Sequence, residues 1–361
     1  MKIEKGEAVE QTAKQFFADL VNASGVSGYE QPVQRVVREY AKDFADEMTT
    51  DLHGNLIMSI NPEADVRVML AGHCDQIGMI VSFIDDNGFL FIQTIGGWDP
   101  QQLVGQRVSI WSENGPVNGV ISRKPIHLLD EQEKKQVVKI KDLWIDVGAQ
   151  NREQALTVVA VGDSVTLQLG YQELQNHLVN GPAMDDRCGV WVIVEALRRA
   201  KEMGVTCGLY AASTVQEEIG LRGARTAAYS IDPHVGIAVD VTHAMDCPNM
   251  EPRQQGDIKL SKGPVIVHGP NINPVVASKL KQVCRSENLP FQSAALGRAA
   301  PNDSNAMQVT RGGVATGIVA IPNRYMHSSV ETISLSDITY AAQLLAYFAA
   351  DVTAAEEFVP Q

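Results

Sequence analysis

The sequence predicts an α/β protein built on a mixed sheet and interrupted by a small all-β unit, and three observations carry that expectation. The first is a repeated arrangement: an apolar, β-branched run, continuous enough for a strand covered on both faces, gives way abruptly to a polar residue. The second is an amphipathic helical pattern, AMDDRCGVWVIVEALRRA, set between such runs as the crossovers of a partly parallel sheet require. The third is a change of texture between residues 76 and 168, where short alternating runs succeed one another across glycine-containing turns.

Taken in order, residues from Glu7 to about Ala71 read as a helix, a GVSGYE turn, a second helix and two strands, with DLHGN as the hairpin signal between the strands. Beyond His73, the runs IGMIVSFI, GFLFIQTI, QRVSIW and PVNGVIS alternate like half-buried strands and are broken by Asp-Asn-Gly, Gly-Gly and Asn-Gly; a polar stretch containing DEQEKKQ follows. From about Val165 the α/β texture resumes. The expected organisation is a discontinuous α/β domain, residues 1–75 and 169–361, with an all-β domain of residues 76–168 inserted into it. No internal repeat or low-complexity segment is visible.

The polar residues that end the apolar runs are chemically coherent. VRVMLAGHCD delivers His73 and Asp75, CGLYAASTVQEE delivers Glu217 and Glu218, HVGIAVDVTHAMD delivers Asp240, and GVATGIVAIPNRYMHSS delivers His327. Open α/β sheets bind ligands in the crevice beyond the carboxyl ends of their strands, so these ends are expected to converge. Asp185 and Asp186 precede the amphipathic helix and point back toward the same crevice. Taken singly, each has an ordinary explanation: an Asp before a helix is usually a cap, and paired glutamates are common on solvated helix starts. Together, two histidines and several carboxylates form a nitrogen and oxygen set suited to zinc, cobalt or manganese, not to a sulfur-ligated structural site. Adjacent Glu217 and Glu218 add a division of labour that hydrolysis needs, one carboxylate holding an ion and the other left to take a proton from water.

Composition excludes several classes of function. At 361 residues the chain is long enough for two domains and a sizeable core. A formal net charge of −13 with no basic tract argues against nucleic acid or an anionic membrane as partner. The segment MKIEKGEAVEQTAKQFFADL mixes charges into a helical pattern, no secretory signal is recognisable, and no apolar run approaches the roughly 20 residues of a membrane span; a cytoplasmic location is expected. Cys74, Cys188, Cys207, Cys247 and Cys284 are scattered without a C-x-x-C pair and read as reduced, mostly buried side chains. Strand alternation turns Cys74 away from His73 and Asp75.

GVSGYE, GHCDQIGMIVSFI, GGWD followed by LVGQRV, LWIDVGA, AMDDRCG, STVQEEIGLRGA, AVDVTHAMD and RYMHSSVE occur in this order, and the ordered set resembles the M42 family of dinuclear metalloaminopeptidases over about Gly25 to Ile333. The resemblance implies an α/β/α mixed-sheet metallopeptidase domain with an inserted, barrel-like dimerisation domain. It implies that short peptides lose N-terminal residues to a water activated by two divalent ions, zinc, cobalt or manganese. His73 and Asp240 are then the terminal ligands of one ion, Glu218 and His327 those of the other, and Asp185 bridges both; Glu217 is the general base and Asp75 orients His73. A cis Asp185–Asp186 peptide and homo-oligomers, dimers assembling into a tetrahedral dodecamer, are implied as well. The chain departs from the family pattern at Gln76, where a glutamate is usual, and at Pro301–Ser304, where Asp303 aligns and its neighbours do not. Arg298 is a candidate for contact with an acidic substrate side chain. Competing readings are a metal-dependent deacylase of acylated amines, a glycoside hydrolase using two carboxylates about 5–9.5 Å apart, and a noncatalytic metal-bound scaffold.

Overall fold

The protein is described here by a computed structural model covering residues 10–360, so the helical pattern expected at residues 7–9 lies outside the described residues. The first helix runs Gln11–Asn22 and the second Gln31–Ala41. Strands Glu47–Thr50 and Leu56–Ile60 then form the expected hairpin. Its turn is organised by Asp51, whose Oδ1 accepts from the backbone N–H groups of His53, Gly54 and Asn55. Gly54 has φ +103°, a conformation that costs glycine little and other residues much.

Eight strands form the main sheet, in the order Glu47–Thr50, Leu56–Ile60, Gly208–Thr214, Arg67–His73, Val235–His243, Ala315–Asn323, Val265–His268 and Gln292–Ala295. The four in the middle, Gly208–Thr214 to Ala315–Asn323, are parallel, so their carboxyl ends share one edge. Antiparallel pairings on either side make the sheet mixed. Both faces are covered, as the continuous apolar runs require. Val68 and Leu70 belong to the main core with Trp191 and Phe348, which come from helices Met184–Met203 and Leu335–Ala350; the alternate residues Met69 and Ala71 pack with Ala224 and Met307 from helices Arg222–Ile231 and Asp303–Gln308. Cys74 is fully buried in the main core. All five cysteines are free.

The inserted strands close on themselves. Gly78–Ile84, Leu90–Ile95, Trp144–Asp146, Gly115–Ser122, Arg107–Ser112 and Ser164–Leu167 form a six-stranded barrel around Met79, Leu90, Ile110 and Ile145. Ser164–Leu167 closes the ring, pairing with Met79–Ile80 on one side and Val108–Trp111 on the other. The region is not wholly β: a short helix, Arg152–Leu156, begins where the Asn151 side chain accepts from Gln154 N–H.

A third, three-stranded sheet pairs Gln172–Glu173 with Leu178–Gly181 and the latter with Glu331–Ser334. Its register sets Gly181 opposite Glu331, which brings the segment leading to Asp185 beside the segment following His327.

Candidate metal centre

All the residues singled out in the sequence as potential ligands meet at the carboxyl edge of the parallel strands. His73 is the last residue of its strand, and Glu217 and Glu218 lie just past Thr214, as the apolar runs led one to expect. Asp240 does not sit past its strand. The strand continues to His243 because Ala315–Asn323 runs beside it, pairing Asp240 with Ala320 and His243 with Asn323. Ala238 is still in register with Ala71, two residues before His73, so Asp240 and His73 stand at the same level of the sheet. Asp185 and Asp186 lie at the entry to helix Met184–Met203 but have non-helical backbone angles, and the peptide between them is cis.

Two groups of ligand atoms result. His73, Glu217 and Asp240 offer atoms within 4.8 Å of one another, and so do Asp185, Glu218 and His327. Asp185 faces both groups: its Oδ1 is 3.0 Å from His73 Nε2 and its Oδ2 is 3.2 Å from His327 Nε2. Glu218 Oε1 lies 3.6 Å from His327 Nε2, and Glu217 Oε2 lies 3.9 Å from His73 Nε2.

A layer of hydrogen bonds holds these groups. His73 Nδ1 is 3.1 Å from the Asp75 carbonyl oxygen and 3.4 Å from Asp75 Oδ1; a proton on Nδ1 leaves the Nε2 lone pair aimed at Asp185 and its neighbours. The Asp75 carboxylate also accepts from Ser27 Oγ and from the N–H groups of Glu217 and Glu218, so it fixes the segment carrying the glutamate pair as well as the histidine. Asp186 is buried and occupied elsewhere, accepting from Gly189 N–H in the manner of a cap and from His73 N–H.

Sequence reasoning assigned no task to two further buried carboxylates. Glu331 accepts from Asp185 N–H at 3.0 Å and from His327 N–H at 2.8 Å, clamping the backbones of two candidate ligands. Its only signal was the four-residue spacing from His327 in RYMHSSVE, which does not reveal the partner strand. Asp303 accepts from Thr214 Oγ1 at 2.6 Å, and its other carboxylate oxygen is buried without a hydrogen-bond partner among the described residues.

The charges test whether cations belong here. Among the described residues no lysine or arginine forms an ion pair with Asp185, Glu217, Glu218 or Asp240; their cationic neighbours are His73 and His327. Burial first, with repulsion from Asp240, Asp303 and Asp185, pushes the Glu217 carboxyl up to about 10. Burial with repulsion from Asp185 raises Asp240 to about 8 and Glu218 to about 7. Burial opposes ionisation of Asp185 too, but the two histidines hold it below the usual carboxylate range. Isolated buried charges cost several kcal/mol each, and two divalent cations would supply the missing positive charge in a donor set they favour. The residues fit divalent cations.

This imbalance predicts how the metal-free protein responds to pH. Carboxyls raised in the folded state keep protons that the unfolded chain has released, so the stability they contribute is present at low pH and lost as pH rises through about 7 for Glu218 and about 8 for Asp240. His327, raised to about 9 mainly by its contact with Asp185, acts with the same sign. Asp185 contributes throughout that range and adds no slope. Melting temperatures of the metal-free protein should therefore fall between about pH 5 and about pH 8, and saturating zinc or cobalt should flatten the decline.

A cleft of about 710 Å³ opens over the two groups. Asp185, Glu217, Glu218, Asp240 and His327 line one part of it, with Val267, Leu296, Ile318 and Ala320 among its apolar walls and Arg298 also on the lining.

Comparison with known proteins gives a consistent result. The family model described as M42 glutamyl aminopeptidase matches residues 54–344. The chain is 38% identical over 331 residues to a lysyl aminopeptidase of Pyrococcus furiosus, covering 90% of this chain and 93% of that one. The crystal structure of a TET aminopeptidase from Thaumarchaeota archaeon SCGC AB-539-E09 superposes with a TM-score of 0.93 at 33% identity, over 98% of this chain and all (100%) of that one. A Pyrococcus horikoshii TET1 peptidase, described as assembling into a tetrahedron or a large octahedral shell, superposes with a TM-score of 0.85 at 30% identity over 94% of this chain and 100% of its own.

Proposed function

Because the chain belongs to the M42 glutamyl aminopeptidase family and is a metal-dependent aminopeptidase, we propose that it removes N-terminal residues from short peptides at a centre for two divalent ions. His73 and Asp240 would hold one ion, Glu218 and His327 the other, and Asp185 would serve both. The observation that carries this reading is the position of Asp185, with one carboxylate oxygen toward each histidine. Zinc, cobalt and manganese all suit the donors. When bound, such ions acidify the attacking water and polarise the scissile carbonyl.

The chain supplies the rest. Glu217 is the general base: it stands beside His73 and Asp240 in the first group, and its burial favours the protonated form that must later deliver the proton to the departing amine. Nearby cations would pull its pKa down from the metal-free value, which brings it toward the working range. Asp75 keeps Glu217 in place through the Glu217 N–H and keeps His73 in the tautomer that offers Nε2. The carboxylates at the floor of the cleft attract a free α-ammonium group, and the apolar walls accept a side chain.

A glycosidase would leave both histidines and Asp185 without a purpose, and Glu217 and Glu218 fall in different groups, each with its own histidine. A deacylase would act on a blocked amine. We also propose that the barrel is the site of self-association. The TET1 peptidase assembles into shells, and Phe83, Val120, Ile126 and Leu128 are exposed on this region. No helix among the described residues is long and apolar enough to cross a membrane; the five free cysteines support placing the protein in the cytoplasm.

The test is hydrolysis of amino-acid p-nitroanilides and of short peptides with free or acetylated N-termini, before and after chelation. Chelation should reduce release of the N-terminal residue at least about 100-fold and added zinc, cobalt or manganese should restore it. Cleavage of acetylated but not free peptides would move the assignment to a deacylase. Activity that survives complete metal removal would end the metallopeptidase reading.

A further inference from the structure

The two histidines of the candidate centre are held differently. His73 is buried and its Nδ1 faces the Asp75 carbonyl and carboxylate. The His327 side chain is 39% exposed, the residue sits on an irregular segment with a left-handed backbone (φ +56°), and its Nδ1 has no comparable hydrogen-bond partner among the described residues. Metal-binding imidazoles are ordinarily oriented through their second nitrogen. Some other device must fix this ring.

The barrel provides it. The segment after strand Leu90–Ile95, Gly96-Gly97-Trp98-Asp99-Pro100-Gln101-Gln102, leaves the barrel and packs on the His327 segment. A Cβ on Gly97 would stand 3.3 Å from His327 Nδ1, and one on Gly96 would stand 3.4 Å from Glu218 Oε2. The imidazole therefore occupies the space that a side chain on residue 97 would need. Gln102 Oε1 accepts from Ser329 N–H at 3.2 Å, anchoring the backbone two residues beyond His327. The segment is itself tied to the barrel, since Trp98 Nε1 donates to the Gly78 carbonyl, and it is braced internally where Asp99 Oδ1 accepts from Gln101 N–H. Trp98 and Leu167 from the barrel join Glu218, His327 and Ser329 around a small cavity of about 20 Å³, so the two surfaces meet with little space between them.

We propose that Gln102 and Gly97 are positioning residues for His327, so that the inserted barrel completes the second ion site. This rests on the reading of His327 as a ligand. Glu331 holds the same segment from the α/β side through His327 N–H. The backbone that carries the ring is thus held from two parts of the chain, and the barrel's share is the acceptor on Gln102 and the missing Cβ of Gly97.

Three variants of the full chain and one control test it, read by bound ions per chain, by calorimetric zinc affinity of each site and by the visible spectrum of the cobalt protein. Gln102→Met keeps the side chain's bulk and removes its acceptor; Gln102→Glu keeps the acceptor. Gly97→Ala adds the Cβ that the ring must yield to. His327→Ala removes the ligand and should cost one ion. The expected result is a zinc affinity at one site about 10–100-fold weaker in Gln102→Met and Gly97→Ala, with the other site unchanged, an altered cobalt spectrum, and recovery in Gln102→Glu. A role in packing alone would leave Gln102→Met like the wild type. If Gly97→Ala fails to fold, the contrast between Gln102→Met and Gln102→Glu decides. Loss of an ion in His327→Ala with wild-type affinity in Gln102→Met and Gly97→Ala overturns the barrel's role alone; retention of both ions in His327→Ala overturns the ligand assignment and the proposal with it.

Discussion

Replacing Glu217 with glutamine should lower kcat by about 10²–10⁴ while leaving two ions bound and the fold intact. Glutamine matches glutamate in shape, so the Glu217 N–H to Asp75 hydrogen bond at 3.0 Å and the surrounding packing persist. What disappears is a group able to accept the proton of water and return it to the leaving amine. Binding of the peptide depends on the cleft and should change little, so KM is expected to stay within a few-fold and the loss to fall on kcat. The same variant discriminates between two roles for this residue. Glu217 lies among His73 and Asp240 closely enough to serve as a ligand itself. If it did, the glutamine variant would lose an ion along with its activity. Metal content measured beside kcat therefore separates a proton carrier from a ligand.

Asp185→Ala should have the other large effect, emptying both sites at once. Among the described residues Asp185 alone is paired with both histidines, at 3.0 Å from His73 Nε2 and 3.2 Å from His327 Nε2. Its removal leaves His73 with Asp240 and Glu217, and Glu218 with His327, each group deprived of the carboxylate that joins them. Anything that binds only the folded state raises the melting temperature by mass action. Zinc added to the metal-free wild type should therefore raise it by several degrees, and the Asp185→Ala protein should show almost no response, with activity lost below detection. A variant that still binds two ions and still responds to zinc would show that the shared position of Asp185 is incidental.

Much of this centre was legible in the sequence because buried parallel strands advertise themselves. The runs before His73, Glu217 and His327 are apolar on both faces, and such strands can end only where the sheet reaches solvent or a site. Asp240 shows the limit of that inference: its apolar run stops at the aspartate, yet the strand goes on because its neighbour does, and a neighbour is not visible locally. Closure of the barrel was legible only through the family resemblance and not from the local pattern, since Ser164–Leu167 pairs with strands more than fifty residues earlier. The supporting residues were the least legible. Glu331 reads as a lone acid in a short alternating strand until the register places it opposite Gly181 and beneath Asp185 N–H. Gln102 is one polar residue in a turn, and only the approach of the His327 segment gives its acceptor a task. Candidate ligands follow from chemistry and local pattern, whereas the groups that orient them follow from contacts between distant segments.

The most direct measurement is a titration of the metal-free protein with zinc or cobalt in which bound ions per chain and release of the N-terminal residue from a free-amine peptide are followed together. A dinuclear centre predicts that full activity arrives only as the second ion binds and that acetylating the peptide abolishes release. Full activity with one ion per chain, or two ions bound without release from any free-amine peptide, would contradict it.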